Sequence, residues 1–435
     1  MSNNEEKLTL RKEISDKLKS SLIAALDIPY EPDDISGDTA LIGAGLGLDS
    51  LDVLEIVLCV ENNFGIKMPE GDTATLRSFN TLIDFIIESQ GKAEKASVSP
   101  AENQNPDAEL QNAYNALRHT VVLSQQQNIR LFTMPEAEGI DRLDENLAAN
   151  ILKLRYGGII DTFLAREDGS VAAEALVANI DDKVITLFET TDNSAIDTLA
   201  EKINGCQDIT LTHSVFCVDG PLSWKVAKAI FGADILNLPY LATEKYEFES
   251  QPAYLFRSGR TGEFGYAFIV PNSVANNLKA KLSEEVKSLG GCECTQETIN
   301  LAKLESGFFN VFEEGTKANN PIELGLQWMS DFSKDNFCGV KAISEARNAN
   351  TRKLVAIRGV GVKLDAQLFN GTENVGSVIS AKYSYGISDN IGLALVDSAF
   401  AHSSIELSTS ADAQADVLII SRPAILSDSL TKGME

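Results

Sequence analysis

The chain has 435 residues, 44% of them hydrophobic and 23% charged, and acidic residues outnumber basic ones 63 to 37 for a net charge of −26. Such a length predicts two to four folded units, and such a charge disfavours nucleic acid or an anionic membrane as the main partner, because both need a cationic footprint. No apolar run approaches the ~20 residues of a membrane span, and the polar start MSNNEEKLTLRKEISDKLKS lacks a signal-peptide core, so a cytoplasmic location is expected.

In chain order, residues 5–25 set Leu8, Leu18, Leu22 and Ile23 among charges, the pattern of an amphipathic helix. Pro29 and Pro32 end it and open a long loop that runs to Gly47. A second helix starts at Asp49-Ser50, with Leu51, Leu54 and Leu58 expected to face inward and Asp52, Glu55 and Glu61 outward. Pro69 and Gly71 break the chain, and residues 78–90 give a last helix with Leu82, Ile83, Phe85 and Ile86 as its apolar set. The six cysteines are scattered apart from Cys292 and Cys294, and with three histidines in the chain they make a poor zinc site, so no metal is expected.

The segment Gly47-Leu48-Asp49-Ser50-Leu51-Asp52, in a bundle of this helix order, resembles the acyl carrier protein family over residues 5–90. The resemblance implies a four-helix bundle with 4′-phosphopantetheine on Ser50, added by a phosphopantetheinyl transferase. It also implies that Asp49, Leu51, Asp52 and Glu55 are read by that enzyme and by acyl- or aminoacyl-loading enzymes. The chemistry is intelligible by itself: unpaired N–H groups at a helix start favour a phosphate. Residues 1–95 hold 18 acidic against 9 basic residues, which suits docking onto basic partners. Taken alone, Asp-Ser at a helix start is more often a plain cap.

Residues 91–111, rich in Gly, Ala, Ser, Pro and Asn, are expected to form a flexible linker. About 20 free residues would give an end-to-end distance near 25 Å and an effective carrier concentration in the millimolar range. From residue 112 the pattern is mixed α+β. LVANIDDKVITLFET reads as strand, turn and strand, SVANNLKAKLSEEVKSLG as a helix, and KLVAIRGVGV and NIGLALVD as late strands. The tail LSDSLTKGME is expected to fray.

Three ordered stretches of this region carry a second resemblance. They are Gly157-Gly158-Ile159-Ile160-Asp161, then Arg257-Ser258-Gly259-Arg260-Thr261-Gly262-Glu263-Phe264-Gly265-Tyr266, then Leu301 to Gly307 with Pro321 to Leu326 and Lys334 to Gly339. Together they are similar to the glycine-cleavage T-protein (aminomethyltransferase) family. The resemblance implies a three-subdomain α+β fold, with a folate-binding region over 112–345 and a C-terminal β-barrel over 346–430, around a central site for tetrahydrofolate. It implies that Asp161 handles protons at the reacting nitrogen. Glu263 would recognise the pterin edge, where a carboxylate can accept two parallel N–H bonds, with Tyr266 and Arg257 of the same element beside it. Ala267 and Ile299 depart from the family pattern, the latter where a basic residue is expected, and Lys334-Asp335-Asn336-Phe337 argues against the iron–sulfur-repair branch. Without the resemblance, Asp161 is an ordinary turn residue, Glu263 a hairpin carboxylate, Lys334 a solvated charge and Trp328 core.

Two functions are open. One is a folate-dependent one-carbon transferase acting on cargo held by Ser50's arm; the other is a non-catalytic docking module that delivers the carrier to other biosynthetic enzymes.

Overall fold

A computed structural model describes residues 3–434 except 43, 44, 49, 50, 70, 73 and 105. The N-terminal helix, Asn3–Leu26, buries Ile14, Leu18 and Leu22 at four-residue spacing and stops at Asp27, whose φ is +50°. The helix Asp52–Phe64 stops at Gly65, which takes the left-handed conformation and returns its N–H to the Glu61 carbonyl. The helix Phe79–Ser89 is capped by the Ser78 hydroxyl, which accepts from the Thr81 N–H at 3.3 Å. The short third helix of the bundle is a single 3₁₀ turn, Thr75–Arg77.

The expected inward face of the second helix is wrong. Ile56, Cys59 and Val60 fill the core, while Leu51, Leu54 and Leu58 are 80%, 64% and 41% exposed. Both sets have helical spacing, so periodicity alone could not choose between them. The chosen face is the one that meets Leu18, Leu22 and Phe79.

The bundle packs against the rest of the chain. Asp34 accepts both guanidinium arms of Arg347, and Asp38 accepts the Arg422 backbone N–H at 3.0 Å. Tyr30 donates to the Trp328 carbonyl at 3.2 Å, and Ser78 donates to the Arg422 carbonyl at 2.7 Å. Among its described residues, the stretch after the bundle has no helix or strand up to Asp107, which caps the helix Ala108–His119. It is not the free tether expected: Val98 and Ala101 are buried, the Ser97 N–H meets Glu406 at 2.5 Å, and the Ala101 N–H meets Asp389 at 2.6 Å. Backbone donors of a polar segment found acceptors on the barrel, which composition does not reveal.

Three sheets build the remainder. One runs, in spatial order, through Cys292–Glu293, Val122–Gln125, His213–Asp219, Gly265–Pro271, Gln251–Arg257 and Ala242–Phe248, antiparallel after its first pair. The second is antiparallel throughout: Ile159–Ala165, Val171–Ile180, Lys183–Thr190, Ile129–Pro135 and Gln207–Asp208. These two pack face to face through Leu131, Leu176 and Leu187 against Val215, Phe256 and Ile269. The third sheet, from Gln367–Asn370 to Glu406–Leu407, curls into a nearly closed barrel, its ends joined by the Phe369–Ser408 bridge. No helix among the described residues is long and apolar enough to cross a membrane.

Candidate functional site

The chemistry gathers where the second sheet, the loop after Gln251–Arg257 and the helix Gln296–Ser306 meet. Phe163 pairs with Glu174, and Glu174 pairs with Glu189, so strand alternation puts Asp161, Glu174 and Glu189 on one face. Carboxylates directly opposite each other repel, and two buried cations answer them. Arg260 contacts Asp161 at 2.8 Å and Glu174 at 2.9 Å, with Glu189 at 4.0 Å; Lys303 contacts Glu189 at 2.9 Å. Every member has less than a tenth of its side chain exposed.

Three carboxyls facing two cations leave one charge over, and a proton is the natural remedy. Burial pushes Glu174 up to about 8 despite Arg260 and Lys303. Asp161 is also raised, by burial first, with Arg260 and Lys303 opposing. Asp219, at the end of His213–Asp219, is pushed by burial up to about 7 although the Thr261 hydroxyl donates to it at 3.3 Å. Gly265 lies directly opposite, and a Cβ there would stand 2.5 Å from the Asp219 carboxylate, so the glycine of Phe264-Gly265-Tyr266 makes room for that acid.

This has a measurable sign. A carboxyl whose pKa rises on folding adds stability below its unfolded value, near 4.5 for Glu, and loses that contribution as pH climbs through the folded value, about 8 for Glu174. Urea stability of the wild type should therefore fall between pH 5 and 8, by up to about 1.4 kcal/mol per pH unit for each such group. Glu174→Gln keeps the neutral form at every pH and should flatten part of that slope. Parallel wild-type and variant curves would place the proton elsewhere.

In front of the cluster lies a cavity of about 50 Å³, walled by Gln126, Asp219, Tyr266, Ile299, Lys303 and Arg260 among others. Asp161 and Glu174 stand behind Arg260 and reach the cavity through it. The Tyr266 hydroxyl and Gln126 Oε1 have no hydrogen-bond partner among the described residues, nor do Glu174 Oε2 and Arg260 Nε. Ile299 lines this cavity, and the basic residue beside it is Lys303, four positions on and bonded to Glu189. Ala267 also borders the cavity.

Glu263 and Arg257 sit apart from it. Glu263 accepts from the Ser429 N–H at 2.9 Å and hydroxyl at 2.6 Å, and from Arg118 at 3.4 Å. Arg118 also holds Glu305 at 2.7 Å, and Tyr114 donates to that same carboxylate at 2.9 Å. Arg257 donates to the Leu238 carbonyl and lies over the Tyr266 ring at 5.9 Å. The tail expected to fray is a helical turn, Asp428–Lys432, whose buried Ser429 holds Glu263. Lys334 is likewise no solvated charge: its ammonium is buried and donates to the Leu147 and Ala149 carbonyls at 2.9 and 2.8 Å.

Sequence reasoning missed Glu174, Glu189 and Asp219. The available signal was a glutamate inside the otherwise apolar run VAAEALVANI, since an unpaired charge is rarely buried in a strand. At the carrier, Asp49 and Ser50 lie outside the described residues. The helix that follows shows Leu51, Leu54 and Leu58 to solvent, with exposed Glu55 among them.

Comparison with known proteins matches residues 16–86 to the phosphopantetheine attachment site family and residues 88–334, more than half of the chain, to the GCVT N-terminal domain family. An aminomethyltransferase of Streptomyces avermitilis is 26% identical over 273 residues, covering 60% of this chain and 73% of the relative. One of Thermoanaerobacter pseudethanolicus is 23% identical over 305 residues, covering 66% and 81%. The glycine cleavage system aminomethyltransferase T of Bartonella henselae has the same fold, with a TM-score of 0.60 at 17% identity over 73% of this chain and 89% of that one.

Proposed function

The chain belongs to the GCVT N-terminal domain family and carries a phosphopantetheine attachment domain before it, and from that premise we propose that it transfers one-carbon units to or from cargo on its own carrier arm. The observation that carries this reading is the union, in one chain, of an arm-bearing bundle and an aminomethyltransferase-like body with a buried proton-holding carboxyl cluster. Ser50 bears the arm, and the exposed Leu51, Leu54 and Leu58 with Asp52 and Glu55 offer the surface that a phosphopantetheinyl transferase and loading enzymes would read, in a cytoplasmic setting.

Tetrahydrofolate is the one-carbon partner in this reading. The orphaned Tyr266 hydroxyl and Gln126 Oε1 fit the polar edge of a pterin, as do the acids Asp219 and Glu189 near them. A cavity of about 50 Å³ has room for one or two waters at ~30 Å³ each, so the centre must widen to admit the ring. Folate, when bound, supplies the nitrogen that accepts or gives the carbon. The chain's own part is to hold the ring through Tyr266 and Gln126, exclude water, and hold or release a proton at the Asp161 and Asp219 carboxyls. Arg260 orients Asp161, and Lys303 keeps Glu189 ionised.

The second reading, a docking module, draws support from Glu263, whose carboxylate is already engaged by Ser429 and Arg118. One experiment separates the two. Co-expression with a broad-specificity phosphopantetheinyl transferase should add one phosphopantetheine mass, which Ser50→Ala abolishes. The arm is then loaded with aminomethyl or aminoacyl cargo, and exchange with tetrahydrofolate is followed by mass spectrometry. A loaded protein that exchanges no cargo at all is a docking module; a Ser50→Ala protein that still gains the mass carries its arm elsewhere.

A further inference from the structure

Between the carrier bundle and the barrel lies a second cavity, of about 70 Å³ and partly open to solvent. Arg11 and Lys19 reach it from the N-terminal helix, and Lys353 and His402 from the barrel side. Arg11 is 97% buried; one of its terminal nitrogens grips Asp84 at 2.6 Å, while the other, Nη2, has no partner among the described residues. Lys19 donates to the Pro32 carbonyl at 3.2 Å and to that of Ile35, which leaves one of its three protons. Lys353 meets no carboxylate among the described residues.

Two of the three acids on the same wall are committed elsewhere, and the third, Asp33, acts on Lys19 from the rim. Asp38 holds Arg422, Glu323 holds Arg352 at 2.8 Å, and Asp33 is exposed at the rim. Burial lowers His402 to about 4, and the cations Lys353, Arg11, Lys19 and Lys12 push it the same way. Lys19 is lowered to about 8 by burial and then by Lys353, against the opposing pull of Asp33 and Asp16. In a chain of net charge −26, a pocket where cations of two domains converge, two of its three acids bound to arginines outside it and a buried guanidinium nitrogen left without a partner among the described residues, is a local exception.

We propose that this cavity binds a small tetrahedral oxyanion, inorganic phosphate or sulfate in chemistry, held by Arg11 and Lys19 of the carrier bundle and by Lys353 and His402 of the barrel. The volume matches one such ion or two waters. The ion satisfies the orphaned guanidinium nitrogen and offsets the repulsion between Lys19 and Lys353, so its binding fastens the bundle to the barrel.

The test uses the full-length protein with labelled histidine and inorganic sulfate as the probe, at ionic strength held constant with sodium chloride. The His402 resonance, assigned by its loss in His402→Gln, should move saturably with sulfate, and the pH of its titration should rise. Lys353→Gln, at an exposed position, leaves the fold intact and should weaken the sulfate response about tenfold, the loss of one charge-assisted partner. Glycerol phosphate should give a weaker response, because about 70 Å³ holds the ion with little room for the ester. A response equal with chloride, unchanged in Lys353→Gln, or as strong with the ester would overturn the assignment.

Discussion

Asp161→Asn should accept phosphopantetheine on Ser50 as fast as the wild type and exchange one-carbon units about 10²–10⁴ times more slowly. Asparagine keeps the volume and the oxygen that accepts from Arg260 at 2.8 Å, so the cluster stays assembled. It cannot carry the proton that burial makes available to Asp161 at higher pH than an ordinary aspartate. Loading happens on the other domain and serves as the internal control, with a thermal melt to show that the variant is folded. Asp219→Asn belongs in the same assay, because Asp219 lies on the cavity wall and titrates near neutrality. If Asp161→Asn exchanges at the wild-type rate while Asp219→Asn fails, the proton is handled by Asp219.

Arg260→Leu should cost about 3–5 kcal/mol of stability in urea unfolding. The substitution strands Asp161, Glu174 and Glu189 in the interior with Lys303 alone. Solvating them is impossible in place, so they must take up protons or drive the sheets apart. The loss should shrink at pH 5, where protons are cheap to bind, and the double variant Arg260→Leu/Glu174→Leu should recover part of it, since both partners of a buried pair have gone. A loss under about 1 kcal/mol at pH 8 would mean that the cluster is open to water.

Much of the architecture is legible in local pattern. The hairpin Val171–Ile180 and Lys183–Thr190 follows from two apolar runs around Asp181-Asp182, both with positive φ, and the helix Asn272–Ser288 from its start at Pro271. The centre is legible only in part. Asp161, Tyr266 and Glu263 stand in recognisable stretches, but which of them face one another depends on how two sheets and a helix pack. Glu174 and Glu189 meet through strand register, and Arg260 and Lys303 arrive from other elements, contacts that no spacing along the chain encodes. The same limit explains Leu51, Leu54 and Leu58, where two helical stripes compete, and Ser429, whose partner lies 166 positions away.

The anchoring of the stretch after the bundle changes how the carrier explores space. Its first fixed point is Ser97 on Glu406, roughly six residues beyond the turn at Gly91. Six residues of free coil span about 13 Å, half the reach of a twenty-residue tether. Local concentration scales roughly as the inverse three-halves power of tether length, so the short leash raises it about sixfold. If the carrier leaves its place to meet a loading enzyme, the bundle is less a diffusing arm than a door on a hinge, returned by its short leash to the same barrel. On the proposed function, each chain would then serve its own centre, and throughput would follow the rate of that swing and not the abundance of carriers.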